Sequence, residues 1–238
     1  MKSLHIITPV KDSIDTTIDT IKAIMSSDIK VPFTYTIYND FSTPENTQRL
    51  EKASKEYGFQ LVNLSDLTDH PSPNYLLVLQ KTQKEAIEAN AGLLIVESDV
   101  TVQKDTLQAL FDGAIGRKDC GMAAAVTTDE NGDINFPYLY AKGRKPQVYD
   151  EKKRFSFCCT LLTPTFLKAF DFHLLDPTKN WFDVTISHES IHKGFHNYLF
   201  INLPVLHRPH GSRPWKQLKY TNPLKYYWLK FTKGLDKI

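Results

Sequence analysis

Glu97, Ser98 and Asp99 follow directly on four apolar residues, Leu93-Leu94-Ile95-Val96. In extended backbone, residues i and i+2 point the same way, so the two carboxylates can face one site. Two hard oxygen donors at such a place suit Mg²⁺ or Mn²⁺ bridging a diphosphate. Two further polar clusters follow other apolar runs: Thr8-Pro9-Val10-Lys11-Asp12 and Asn39-Asp40-Phe41-Ser42-Thr43. Turn and capping duties would account for any one of them, because turn residues gather at strand ends whatever the function. Three at equivalent places are harder to explain that way. Beyond Phe200 to Leu206 come His207 and His210, with Arg208 and Arg213 nearby. Imidazole is a competent Mn²⁺ ligand and is less suited to Mg²⁺. The guanidinium forks match phosphate oxygens.

Alternating strands and helices are needed to bring these clusters together. Leu4 to Val10 reads as a buried strand, followed by Ile14, Ile18, Ile21 and Met25 at helical spacing. The β-branched and aromatic run Phe33 to Tyr38 predicts a second strand. Ser42 or Thr43 can cap the next helix, with Pro44 in its first turn, Glu45 completing a capping box and an end near Gly58. A third strand is expected over Phe59 to Leu64, then a proline-bearing loop from Asp66 to Asn74. A helix over Leu77 to Ala91, stopped by Gly92, leads into the wholly apolar run Leu93 to Val96. Thr106 to Ile115 reads as helix and Met122 to Thr127 as strand. This alternation predicts an α/β fold with a mixed, mostly parallel sheet flanked by helices. Ligands of such sheets bind outside the carboxyl ends of the strands, where all three clusters fall.

The chain has 238 residues, 41% hydrophobic and 24% charged, which suits one α/β domain with a real core. Its three cysteines, Cys120, Cys158 and Cys159, show no CxxC spacing, so neither a disulfide framework nor a zinc site is indicated. No apolar run reaches the roughly 18 residues of a membrane span. A reducing, cytoplasmic setting is the expectation. From His207 to Ile238 there are eight Lys or Arg against Asp236 alone, a local charge of +7. The net charge is +2, so the rest of the chain carries −5. An acidic body argues against nucleic acid as a partner. The tail interleaves Tyr220, Tyr226, Tyr227, Trp228 and Phe231 with lysines, and Leu224, Trp228 and Phe231 share a helical face. Such a segment can lie on an anionic membrane surface or pack its aromatics on the body. We divide the chain into a domain over 1–212 and a basic aromatic extension over 213–238.

The polar clusters carry a resemblance to a known family. Ile6-Ile7-Thr8-Pro9-Val10, Ile37-Tyr38-Asn39-Asp40-Phe41-Ser42-Thr43 and Leu94-Ile95-Val96-Glu97-Ser98-Asp99 resemble, in order, the opening strand, the Asp-Asp-Gly-Ser segment and the D-x-D strand of the family-2 glycosyltransferases of the GT-A fold. The likeness runs over roughly residues 4 to 210. It implies an inverting transferase that moves a sugar from a nucleoside diphosphate donor, first of all UDP-linked, to a saccharide or lipid-linked acceptor in polysaccharide assembly. It also implies donor contacts from Pro9, Val10, Asp12, Asn39, Asp40, Ser42, Glu97, Ser98 and Arg208, with Asp99, Glu97 and His207 on Mn²⁺ or Mg²⁺. Asp183, in Trp181-Phe182-Asp183-Val184 ahead of Gly194-Phe195, falls where the family keeps its catalytic base, and Glu189 is its rival. The loops around Phe136 to Arg154 would form the acceptor side. The chain departs from the family pattern at Asn39, Phe41, Glu97 and Phe182. Glu97, Phe182 and Phe41 leave open a degenerate fold kept for binding, and a related sheet with a metal would also serve a sugar nucleotidyltransferase. The second lacks the glycine-rich, lysine-bearing phosphate loop it would need near the first strand.

Overall fold

The apolar runs become strands and the apolar stripes become helices in a computed structural model, which describes residues 1–209, 218 and 222–233. The strands are β1 (Leu4–Val10), β2 (Phe33–Asn39), β3 (Gln60–Asn63), β4 (Gly92–Val96), β5 (Val100–Thr101), β6 (Cys120–Thr128), β7 (Val148–Asp150), β8 (Cys159–Leu162) and β9 (His196–His207). The helices are α1 (Ile14–Met25), α2 (Pro44–Tyr57), α3 (Tyr75–Glu88), α4 (Thr106–Ile115), α5 (Pro164–Ala169), α6 (Phe182–His192) and α7 (Pro223–Thr232).

All nine strands join one sheet, in the order β3-β2-β1-β4-β8-β6-β9-β5, with β7 also on β9. Six run one way, and β5, β7 and β8 run the other. The sheet is therefore mixed and mostly parallel, as the alternation predicts. β4 is buried along its whole length. Leu94 and Val96 enter one core cluster with Ile21 of α1, Leu50 of α2 and Leu110 of α4. Leu93 and Ile95 enter another with Val78 of α3, Phe166 of α5 and Ile186 of α6. Helices thus cover both faces, which explains a strand with no polar alternation.

Local chemistry sets several boundaries. Thr43, not Ser42, caps α2, its hydroxyl accepting from the Asn46 amide at 3.3 Å. That choice puts Asn46 at the capping-box position, so Glu45 does not complete a box. The helix ends at Gly58, whose φ of 79° lies in the left-handed region that a residue without a Cβ adopts at little cost. Gly92 does not stop α3. It starts β4, where an added Cβ would collide with Met1 and come within 2.6 Å of Leu161. Pro9 sits inside β1 opposite Tyr38, yet the β1–β4 ladder ends at Ile7, so its missing N–H costs no ladder bond on that side. The stretch from Phe136 to Arg154 is more ordered than a plain loop: it holds a short turn of helix at Leu139–Ala141, the strand β7 and a buried Tyr138. The boundary between 212 and 213 lies outside the described residues. Among those residues, no helix is long and apolar enough to cross a membrane.

Candidate active site

Two strand pairings assemble the site at the carboxyl edge of β4. The reversed strand β8 sets Val96 opposite Cys159, so the Glu97 amide donates to the Cys158 carbonyl at 3.0 Å. The short strand β5 sets Val100 opposite His207, and the Arg208 amide donates to the Asp99 carbonyl at 3.0 Å. Glu97, Asp99, Cys158 and His207 therefore meet, although they are spread over more than a hundred residues of sequence.

The donor atoms face one another. His207 Nε2 lies 3.6 Å from Asp99 Oδ2, with both side chains almost wholly buried. The Cys158 thiol donates to Glu97 Oε2 at 3.1 Å, and one donor atom each of Glu97, Cys158 and His207 lies within 4.8 Å of the others. On the far side of its ring, His207 Nδ1 lies 2.8 Å from the Phe136 carbonyl, which can only accept. That bond fixes the tautomer and aims Nε2 inward, as metal-ligating histidines are held. Burial and the neighbouring Asp99 push the Glu97 carboxyl up to about 7, against the pull of His207. Burial alone would lower His207, but the hydrogen bond and charge of Asp99, with Glu97 behind it, raise it above the usual imidazole value. Burial and then Glu97 hold the Cys158 thiol well above its ordinary range, so in this state it is a neutral donor. A carboxylate pair and an oriented imidazole fit a hard or borderline divalent cation, while the sulfur serves here as a hydrogen-bond partner of Glu97.

The other clusters build the walls. Asp40 Oδ2 accepts from the Asn74 amide at 2.9 Å and the Ser72 hydroxyl at 2.7 Å, and its Oδ1 accepts from Asn74 Nδ2 at 2.8 Å. Asp40 thus holds the 70–74 segment against the end of β2. Asn39 is spent on Thr47 and Asn63, both at 2.9 Å. Asp12 accepts from the Thr43 amide at 2.7 Å and from Asn46, while its own amide donates to Ser42 Oγ at 2.9 Å. These contacts clasp the β1 and β2 loops together. Asp12 and Phe41 both adopt φ of 57°, and Phe41 stands where the family it resembles carries glycine. Val10 turns its side chain into the core and offers its carbonyl to the Asp40 amide at 2.8 Å. Pro9 lies at the same edge, and Ser98 is buried between the two acids. Arg208 forks between Glu130 at 3.1 Å and Asp19 at 3.4 Å. His210 and Arg213 lie outside the described residues.

Asp183 occupies the first turn of α6, near enough for its charge to act on Glu97 and on Tyr75. Glu189 instead pairs with the exposed His192 at 3.4 Å. Phe182, where the family it resembles has an acid, packs in the core. Sequence reasoning missed two members of this group. Cys158 lies far from the acids and belongs to no motif. Tyr75 opens α3, and its buried hydroxyl finds no hydrogen-bond partner among the described residues. Burial first, then Glu97 and Asp183, raise it well above the ordinary phenol value.

No family model and no curated protein matches the sequence. Solved structures do match the fold. The TarS 1–349 structure from S. aureus superposes with a TM-score of 0.63 at 17% identity, covering 87% of this chain and 60% of that one. The mannosyltransferase PcManGT from Pyrobaculum calidifontis, in complex with GDP-Man and Mn²⁺, gives 0.60 at 12% identity over 96% and 64%. GalNAc-T7 with UDP, GalNAc and Mn²⁺ gives 0.65 at 11% identity over 87% and 44%. The fold is that of the GT-A glycosyltransferases. The chain spans 44 to 64% of the length of these three structures.

Proposed function

We propose that this chain is an inverting, metal-dependent glycosyltransferase that uses a nucleoside diphosphate sugar and a saccharide or lipid-linked acceptor. The observation that carries the reading is the convergence of Glu97, Asp99 and an oriented His207 at the carboxyl edge of β4, with Asp183 close by. The three GT-A structures that share the fold add support, since one is described with GDP-Man and Mn²⁺ and another with UDP, GalNAc and Mn²⁺. A divalent cation held by Asp99, Glu97 and His207 would supply positive charge for the departing diphosphate. Pro9, Asp12, Asp40 and Ser42 frame the nucleoside side, with the 70–74 segment as its wall. Asp183 is the base: it takes the proton of the acceptor hydroxyl as that oxygen bonds to the anomeric carbon and the bond to the diphosphate oxygen breaks. Tyr75 lies close enough for the charges of both Glu97 and Asp183 to act on it.

A binding-only reading is favoured by one feature: Asn39 and Asp40 spend their polar atoms within the protein. Release of nucleoside diphosphate from UDP- and GDP-linked hexoses with Mn²⁺ separates the two readings, with the product anomer read by proton NMR. Transfer with inversion is expected. Asp183→Asn should lower turnover by about 10² to 10⁴ and leave donor affinity nearly unchanged. Full turnover in that variant removes the base assignment, and no release from any donor leaves the binding-only reading.

A further inference from the structure

Helix α7 begins after Asn222, whose side chain accepts from the Lys225 amide at 3.1 Å, with Pro223 in its first turn. Leu224, Tyr227, Trp228 and Phe231 follow the i, i+3, i+4, i+7 spacing of a single helical stripe. A stripe of this kind ordinarily packs on the core. Here Leu224 is 86% exposed, Tyr227 58%, Trp228 63% and Phe231 90%. The one buried residue of the helix is Tyr226, at 4%, which lies on the opposite face. The helix therefore buries one side chain of its back and leaves its apolar stripe exposed. At about 100° per residue, Lys225 and Lys230 flank the stripe on its two sides and Lys233 lies behind. No acidic residue occurs from Ser190 to Leu235.

We infer that α7 is an interfacial helix that docks the protein on an anionic lipid bilayer. Four exposed apolar and aromatic side chains, rimmed by lysines in a stretch of sequence without acids, match the surface of a headgroup layer carrying negative charge. Tyr227 and Trp228 have the apolar body and polar tip that settle at that boundary. Ten residues make a helix of about 15 Å, too short to span a bilayer and suited to lie in its plane. A second copy is a poorer occupant, because a two-fold pairing of this face would bring the two lysine rims against each other. The inference does not depend on the donor site. For the transferase reading, it places a lipid-linked acceptor next to the enzyme.

Co-sedimentation of the full chain with vesicles tests it, using phosphatidylcholine alone or with a quarter phosphatidylglycerol, and no nucleotide or metal. The chain should pellet with the anionic vesicles, with a blue shift of tryptophan emission that Trp228→Phe removes. The Leu224→Asp/Phe231→Asp pair should abolish binding while keeping the unfolding midpoint, since both side chains are exposed. Each of Lys225→Ala and Lys230→Ala should weaken binding about fivefold. Failure to pellet with anionic vesicles overturns the inference. So does undiminished binding by the aspartate pair, or a solution dimer that the same pair disrupts. None of these outcomes bears on nucleotide binding.

Discussion

Glu97 and His207 both hold a proton more tightly in the folded chain than in the unfolded one, and this couples the acidic cluster to pH. A carboxyl raised from its ordinary value to about 7 opposes folding once the unfolded carboxyl has ionised, so its effect grows as pH rises through that range. A raised histidine adds stability below its unfolded value and loses it as pH climbs through the folded one. Both signs agree: the apoprotein should lose stability from about pH 5 to pH 8, with Asp99, Cys158, Tyr75 and Asp183 as the surrounding polar groups. Unfolding midpoints across that range check this, and Glu97→Gln should flatten the slope. Mn²⁺ takes the deprotonated ligands, so its stabilisation should be larger at pH 8 than at pH 6. Tyr75 makes a different case. An unpartnered buried hydroxyl costs on the order of 1 kcal/mol, so Tyr75→Phe should raise the midpoint of the apoprotein while weakening donor binding. A fall in the midpoint would mean that the hydroxyl serves the fold.

Elements differ in how plainly the sequence announces them. The α1 stripe, the apolar β4 run and the Thr106 to Ile115 helix stand at their expected places because periodicity and burial agree. The Pro44 helix also matches, with Thr43 as its cap, though Asn46 rather than Glu45 takes the third helical position. β5 and β8 were not legible: two and four residues long, they gain their identity only from their partners on β9 and β4. The same holds for the site. Glu97, Asp99 and His207 can be read from residue type and position after apolar runs, whereas Cys158 reaches the cluster through the β4–β8 pairing and Tyr75 stands at the start of α3, neither encoded by a local pattern. Asp40 is the middle case, visible as an acid at a strand end but not as the residue that holds the 70–74 segment. Gly58 offers a clean test at this scale. A Cβ there meets nothing within 4 Å, so Gly58→Ala has only its φ of 79° to oppose it. The expected cost is about 1 kcal/mol, or roughly 2 to 4 °C in the unfolding midpoint. A variant as stable as the parent would show that the turn rearranges.

Across the whole molecule, the parallel half of the sheet carries the three polar clusters to one edge, and the reversed strands β5 and β8 close the site from the far side. That division explains why sequence order alone points to the half that carries the three polar clusters and says little about the rest. In the basic extension, α7 exposes an apolar, lysine-rimmed face, while the rest of the chain is acidic. The central claim is that Glu97, Asp99 and His207 hold a metal that binds a nucleoside diphosphate. The most direct test is the unfolding midpoint of the full chain with UDP, GDP, CMP-linked sugar and ATP, each with and without Mn²⁺, because a ligand of the folded state raises it by mass action. A rise with one nucleoside diphosphate, larger with Mn²⁺ and lost in Asp99→Ala, is the expected result. No rise with any nucleotide, or a rise that Asp99→Ala leaves intact, would contradict it.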